Sequence, residues 1–350
     1  ALLVEVHAAD AESLITARAL AQAHFESLPL AVAPRLTTDA AERAAPWHVR
    51  KGPYTAVAGA RPSGTTALLE DIVVPVDRLL VTCERLIEMF AAHGYEGSVI
   101  FGHAKDGNVH FLLNERFDDA DSVARYRRFT DDLVELVLGQ QGSLKAEHGT
   151  GRIMAPFVRR QYGDELTDMM WEIKRLFDPD LVLNPGVVLS DDPDSYLHDL
   201  KRVPTVESEV DRCVECGYCE PTCPSKSITL TPRQRIVIRR DMAWAEEQGD
   251  TALLQELKAD YDYDGVQTCA VDGMCGVACP VDINTGDLVR RLRAEQSSKI
   301  EGTVWDAAAK GWGAVTRVGG TALTIAAAMP APLVKGITQV GRAVLGADTV

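Results

Sequence analysis

The chain has 350 residues, 51 Asp and Glu against 36 Lys and Arg, and a formal net charge of −15. Its 46% hydrophobic residues are enough to bury cores in about two or three domains. The acidity argues against nucleic acid or an anionic membrane surface as the main partner, and no uncharged run reaches the about 18 strongly apolar residues of a membrane span.

The first residues, 2–7, are apolar and read as a strand, not as a basic leader with a cleavage site, so the chain is expected to begin inside a larger protein. In chain order the pattern then predicts a helix at 10–25, a strand at 29–33, a helix at 38–50, a strand at 67–74 and a helix at 76–92. Strands at 97–102 and 109–113 and helices at 119–140 and 163–177 follow. The helices carry apolar residues at a 3.6 spacing, such as Leu79, Leu80, Cys83, Leu86, Ile87 and Phe90. Cys83 reads as a small buried hydrophobe on that face. This is an α+β pattern, and no G-x-G-x-x-G follows a strand, so the dinucleotide fingerprint is missing. Residues 178–212 are rich in Pro and Asp and read as a linker. Helical stretches are predicted near 232–248 and 250–262. The end of the chain, 296–350, reads as small-residue helices, and Val318–Val334 is broken by Pro330 and Pro332.

Seven of the eight cysteines fall in two tight groups, which favours metal over disulfides. The first is Cys213-x2-Cys216-x2-Cys219-x3-Cys223-Pro224, the run of bacterial two-cluster ferredoxins. The second is Cys269-x2-Asp272-x2-Cys275-x3-Cys279-Pro280, with Asp272 where the second Cys would stand. In such runs the fourth Cys serves the other cluster. Cys213, Cys216, Cys219 and Cys279 are therefore expected on one cluster, and Cys269, Cys275, Cys223 and Asp272 on the other. A carboxylate is a harder ligand than a thiolate, so the second cluster is expected to be [4Fe–4S] with an Asp or solvent corner, or [3Fe–4S]. The long helical connection between the groups resembles the α-helical ferredoxin modules of succinate dehydrogenase and anaerobic glycerol-3-phosphate dehydrogenase subunits.

Residues 101–111 contain His103, Asp106-Gly107, Asn108 and His110. Asp-Gly between strand-like runs signals a two-residue hairpin turn. Counted outward from it, His103 opposes His110, close enough for both imidazoles to hold one divalent metal. Glu147-His148, in a loop of small residues, adds a carboxylate and a base. Two His and a carboxylate with an open position suit a catalytic metal.

Gly102-His103-x2-Asp106-Gly107-Asn108-x-His110, Glu147-His148-Gly149 and Asn184-Pro185-Gly186 together resemble the C-terminal substrate domain of FAD-linked 2-hydroxy acid dehydrogenases, including the D-lactate and D-2-hydroxyglutarate enzymes. The resemblance implies a fold of antiparallel sheet with helices over 1–190. A linker at 191–209, an α-helical two-cluster iron–sulfur domain at 210–295 and a helical tether at 296–350 complete the expected organisation. It implies that FAD is bound mainly by a domain preceding this segment. His103, His110 and Glu147 become the ligands of a divalent metal such as zinc or manganese, and His148 the base. Arg50 becomes the clamp on the substrate carboxylate, and Asn184, with Gly107 and Asn108, contacts the cofactor. Lys105 departs from the Gly usual at its position; Lys51, Lys105 and Arg152 are candidates for a second substrate carboxylate. The implied function is oxidation of a D-2-hydroxy acid through FAD, with electrons leaving by the clusters to a protein or quinone-linked acceptor, in the cytoplasm or at the inner face of its membrane. Two rival readings are an electron-transfer scaffold without its own catalysis and a glycolate or aryl-alcohol flavin dehydrogenase.

Overall fold

The computed structural model describes residues 2–345. The chain divides into two compact units after Leu288.

The first unit opens with helices α1 (Ala11–Glu26), α2 (Ala40–Lys51) and the short α3 (Pro53–Gly59). Asp10 and Asp39 cap α1 and α2 by accepting from Ser13 and Glu42 backbone N–H groups, the usual use of a short carboxylate at a helix start. Strand β1 (Thr66–Val73) follows, then α4 (Leu79–Ala92), β2 (Val99–His103) and β3 (Asn108–Glu115). The sheet is antiparallel, in the order β1-β3-β2. Its alternation separates two faces. Ile72, Val109, Phe111 and Leu113 face a core closed by Leu86 and Phe90 of α4 and by Tyr126, Phe129 and Val137 of α5 (Ala120–Gly139). The opposite face carries Asp71, Asn108, His110, Phe101 and His103.

The expected strands at 2–7 and 29–33 do not form. Neither finds a neighbour, and a strand without a ladder has unpaired backbone groups and little to hold it. Helix α6 (Val158–Phe177) starts earlier than expected and breaks at Gly163, whose φ is 78°. The stretch 191–209, expected as a linker, is packed down. Tyr196 joins the main core, Lys201 O accepts from the Thr66 hydroxyl at 2.6 Å, and Val203 is buried.

The cysteine region holds α7 (Pro232–Gln248), α8 (Thr251–Tyr261), a π-helical turn at Asp262–Gln267 and the short α9 (Met274–Ala278). Thr231 and Gln234 form a capping box at the start of α7, with Pro232 at its first position. Helix α10 (Thr285–Gln296) runs past the division. The second unit continues with α11 (Lys299–Lys310), α12 (Trp312–Ala328) and α13 (Ala331–Leu345). The break between α12 and α13 falls at Pro330. Among the described residues no helix is long and apolar enough to cross a membrane.

Candidate active site

The polar face of the sheet brings His103, His110, Glu147 and His148 together, though not by the expected turn. Ala104–Asp106 form a 3-10 turn and Gly107 takes the left-handed conformation at φ 67°. His103 consequently opposes Asn108, and His110 opposes Phe101. The two imidazoles are diagonal neighbours, their ring centroids 5.6 Å apart. Glu147 Oε1 lies 2.8 Å from His110 Nε2 and 3.3 Å from His103 Nε2. Ligand atoms at about 2.0–2.2 Å from a tetrahedral zinc stand roughly 3.3 Å apart, so this donor set fits a divalent cation. The His148 ring stacks on His110, centroids 4.8 Å apart and planes 6° from parallel. Its Nε2 lies 3.9 Å from Glu147 Oε1. His103, Glu147 and His148 are exposed while His110 is buried, so the site has an anchored floor and an open rim.

Asp71, which the sequence did not single out, organises this site. It is fully buried on β1, directly across from His110. Its Oδ2 accepts from the backbone N–H groups of Ala146, Glu147 and His148 at 2.9, 2.8 and 2.9 Å. Its Oδ1 accepts from Asn108 Nδ2 at 2.6 Å and stands 3.3 Å from His110 Nδ1. Burial pushes the Asp71 carboxyl up, but these N–H donors outweigh it and hold the group below its ordinary range. Asp71, His110 and His148 are close enough to form a second metal-binding set. The Asp71 oxygens are already taken by four N–H donors, so Asp71 stands behind the His110 imidazole as a supporting carboxylate. Burial, helped by His148, pushes the His110 imidazole down, against Asp71 and Glu147. The Glu147–Gly151 loop is tied further: Ser143 and Val73 exchange backbone hydrogen bonds, and Val188 N–H donates to Gly151 O at 2.8 Å.

That last bond brings the Asn184-Pro185-Gly186 turn to the same loop. Asn184 is exposed, with φ 45°. Arg50 sits half-buried in the last turn of α2. Among the described residues neither the Asn184 amide nor the Arg50 guanidinium has a hydrogen-bond partner, so both are available to a ligand. Gly107 and Asn108, expected as cofactor contacts, are instead buried. Asn108 donates to Asp71 and Ile72, and Gly107 packs on the Val74 carbonyl; both build the site from behind. Lys105 and Arg152 are exposed, and the Lys51 side chain lies outside the described residues. Cys83 is half-buried against the core, where burial pushes its thiol up.

The two cysteine groups are sorted into two cavities. Cys213, Cys216, Cys219 and Cys279 line one. Cys223, Cys269, Cys275 and Asp272 line the other. Each cavity thus draws its last cysteine from the other group. Four thiols round one space are a donor set suited to a cubane. Several sulfurs already have donors: Glu215 N–H donates to Cys213 Sγ at 3.4 Å, and Thr285 Oγ1 to Cys275 Sγ at 3.2 Å. Burial, then Cys213, pushes the Cys219 thiol up to about 11. Asp272 is exposed, and its Oδ1 accepts from Met274 N–H at 3.2 Å.

Residues 1–188, more than half of the chain, match the family described as FAD linked oxidases, C-terminal domain. The chain belongs to that family. Residues 209–283 match the 4Fe-4S dicluster domain. This FAD-linked oxidase chain is 30% identical over 146 residues to the glycolate oxidase subunit GlcD of Bacillus subtilis (strain 168), 41% of this chain and 30% of that relative. Over 143 residues it is 31% identical to the probable mitochondrial D-lactate dehydrogenase of Danio rerio, 41% and 28% of the two chains. Over 145 residues it is 32% identical to the probable mitochondrial D-2-hydroxyglutarate dehydrogenase of Oryza sativa subsp. indica, 41% and 24%. The chain spans less than a third of the length of each of these relatives. The matched family stretch holds the whole histidine site, and the dicluster stretch holds all seven clustered cysteines.

Proposed function

We propose that this chain is the substrate-side and electron-exit part of an FAD-dependent dehydrogenase. It oxidises a D-2-hydroxy acid, D-lactate or D-2-hydroxyglutarate, to the 2-oxo acid, and its electrons leave through two iron–sulfur clusters to a protein or quinone-linked acceptor in the cytoplasm or at the inner membrane face. The observation that carries this reading is the convergence of His103 and His110 on Glu147 Oε1 with the His148 ring beside them. Both cysteine-lined cavities belong to the same compact unit.

When bound, a divalent cation would supply Lewis acidity to the substrate hydroxyl, FAD a hydride acceptor, and the clusters one-electron outlets. The chain's own part is positional. His103, His110 and Glu147 would hold the cation, with His110 buried and Asp71 Oδ1 3.3 Å from its Nδ1. His148 Nε2, on the open rim, takes the hydroxyl proton. Arg50 offers a fork of N–H donors to the substrate carboxylate. Asn184 offers its amide to the flavin.

His148→Ala in the full-length protein is expected to abolish substrate-driven flavin bleaching while both clusters assemble. Full bleaching of that variant by a D-2-hydroxy acid would refute the base role. A glycolate dehydrogenase is the second reading, favoured by the similarity to GlcD. Comparing bleaching by D-lactate, D-2-hydroxyglutarate and glycolate separates the two.

A further inference from the structure

Arg235, in the first turns of α7, is 1% exposed. Its Nε donates to Gly265 O at 2.7 Å, and its Nη2 to Ser225 Oγ at 3.0 Å and Thr268 Oγ1 at 3.4 Å. Its Nη1 points at Cys223 Sγ, 3.8 Å away. None of these partners is anionic in the way a carboxylate is, and among the described residues Arg235 has no ion pair. The other arginine buried to this degree, Arg240, is paired with Glu215 at 2.7 Å. A guanidinium taken out of water without a counter-charge is costly. A fold that keeps one there holds it for a negative charge still to come.

That charge has a place. Arg235 lines the cavity of Cys223, Cys269, Cys275 and Asp272, and besides Asp272 it is the charged side chain on that wall. The surroundings are built to hold it. The π-helical turn at Asp262–Gln267 directs the Gly265 carbonyl to Nε. Gly265 must lack a side chain, because a Cβ would come within 2.6 Å of the Tyr261 ring. Tyr261 in turn donates its hydroxyl to Arg235 O at 3.2 Å. π-turns inside helical runs are frequent at functional positions. The first cavity is different: its lining arginine, Arg233, is paired with Glu220 at 2.9 Å.

We propose that Arg235 is the resident counter-charge of the second iron–sulfur cluster and raises its reduction potential. This rests on the reading that the second cavity holds a cluster. Three thiolates and a carboxylate leave a [4Fe–4S] core net negative, and each added electron deepens that charge. A buried cation at the cluster stabilises the reduced form more than the oxidised one, because Coulomb interactions are strong where water is excluded, and net charge and hydrogen bonds to sulfur set cluster potentials. The Asp272 corner pulls the potential the other way. Arg235 offsets it and keeps the second cluster within reach of electrons from the first.

The test is an EPR-monitored redox titration of the full chain, loaded with iron and sulfide without oxygen. Arg235→Gln keeps hydrogen-bond donors and removes the charge; Arg235→Lys keeps the charge and loses the fork. In Arg235→Gln the reduction equilibrium constant of the second cluster is expected to fall at least about tenfold, or about 59 mV for one electron, with the first cluster unmoved. Arg235→Lys should recover most of that drop. If Arg235→Gln loses the second cluster while Arg235→Lys keeps it, the counter-charge role is also supported. A second cluster at the wild-type potential in Arg235→Gln, with full iron content, overturns the proposal. So does an equal drop in both variants, or loss of the cluster from both, since each would make the residue a packing element. A wild-type chain that takes up only one cluster overturns the proposal and the reading beneath it together.

Discussion

Asp71 is the residue on which the histidine site depends most. Three consecutive backbone N–H groups on one carboxylate oxygen fix the Ala146–His148 loop, and the other oxygen faces Asn108 and His110. An Asn in its place has one acceptor oxygen and a donor that would face other donors. Leaving buried N–H groups unmatched costs about 1–3 kcal/mol. Loss of a carboxylate behind a metal-bound imidazole typically costs 10–100-fold in metal affinity. Asp71→Asn is therefore expected to lower the denaturation midpoint and to weaken zinc or manganese binding by about 10–100-fold, read by calorimetric titration. Unchanged affinity would leave Asp71 a purely structural group. A signal for it existed in the sequence: Glu70 and Asp71 interrupt an apolar strand, and buried charges need partners. Glu70 finds Lys145 at 2.7 Å and Asp71 finds the loop. Both partners lie more than seventy residues ahead, beyond the reach of local pattern. The chemistry-bearing residues were legible because His, Glu and Cys cluster at short spacing; their supports were not.

At the scale of elements, the hairpin shows how tertiary contact decides a turn. Asp-Gly favours a two-residue connection, yet the chain uses a 3-10 turn with Gly107 in the left-handed region. Gly107 O accepts from Val74 N–H at 3.0 Å, and a Cβ on Gly107 would come within 1.9 Å of Val74 O. The end of β1 therefore selects the turn and shifts the register by two residues. The site survives because diagonal neighbours on a sheet still meet. The same dependence on neighbours explains 2–7 and 29–33, whose apolar β-type residues find no strand to pair with. Gly149 makes a control, since its φ is 74° but nothing lies near its Cβ position. Gly149→Ala should cost about 1 kcal/mol of backbone strain. Gly107→Ala should cost clearly more than the about 1–3 kcal/mol of strain alone, because strand and turn must separate. Equal urea midpoints for the two variants would contradict the packing argument.

At the scale of the first unit, the oxidase domain and the cysteine region are joined by α3 and by Arg61, two residues beyond its end. Arg61 Nη2 donates to Cys213 O at 2.9 Å and Asp211 O at 3.4 Å, and Nη1 to Arg212 O at 3.3 Å and Ala58 O at 2.7 Å. Gly59 lies so close to Val281, two residues past Cys279, that a Cβ would come within 2.4 Å of its Cγ1. Arg212 Nη2 closes the ring by donating to Val281 O at 2.7 Å. Burial pushes the Tyr54 phenol of α3 up, with Cys216 and Glu215 adding to it against Arg61. The element after Arg50 is thus clamped to both ends of the first cavity. Arg61→Met keeps most of the side-chain bulk and removes the carbonyl anchors, at about 1.5–3 kcal/mol for charged hydrogen bonds of this kind. Residues 211–213 should then exchange their amide protons faster. Under chelator challenge, the EPR signal of the cluster held by Cys213, Cys216, Cys219 and Cys279 should decay before the other. The wild-type protein should lose the two in the opposite order, since the second cavity is lined by only three thiols and an exposed Asp272. If Arg61→Met leaves that order unchanged, the clamp holds the domains together without guarding the cluster between them.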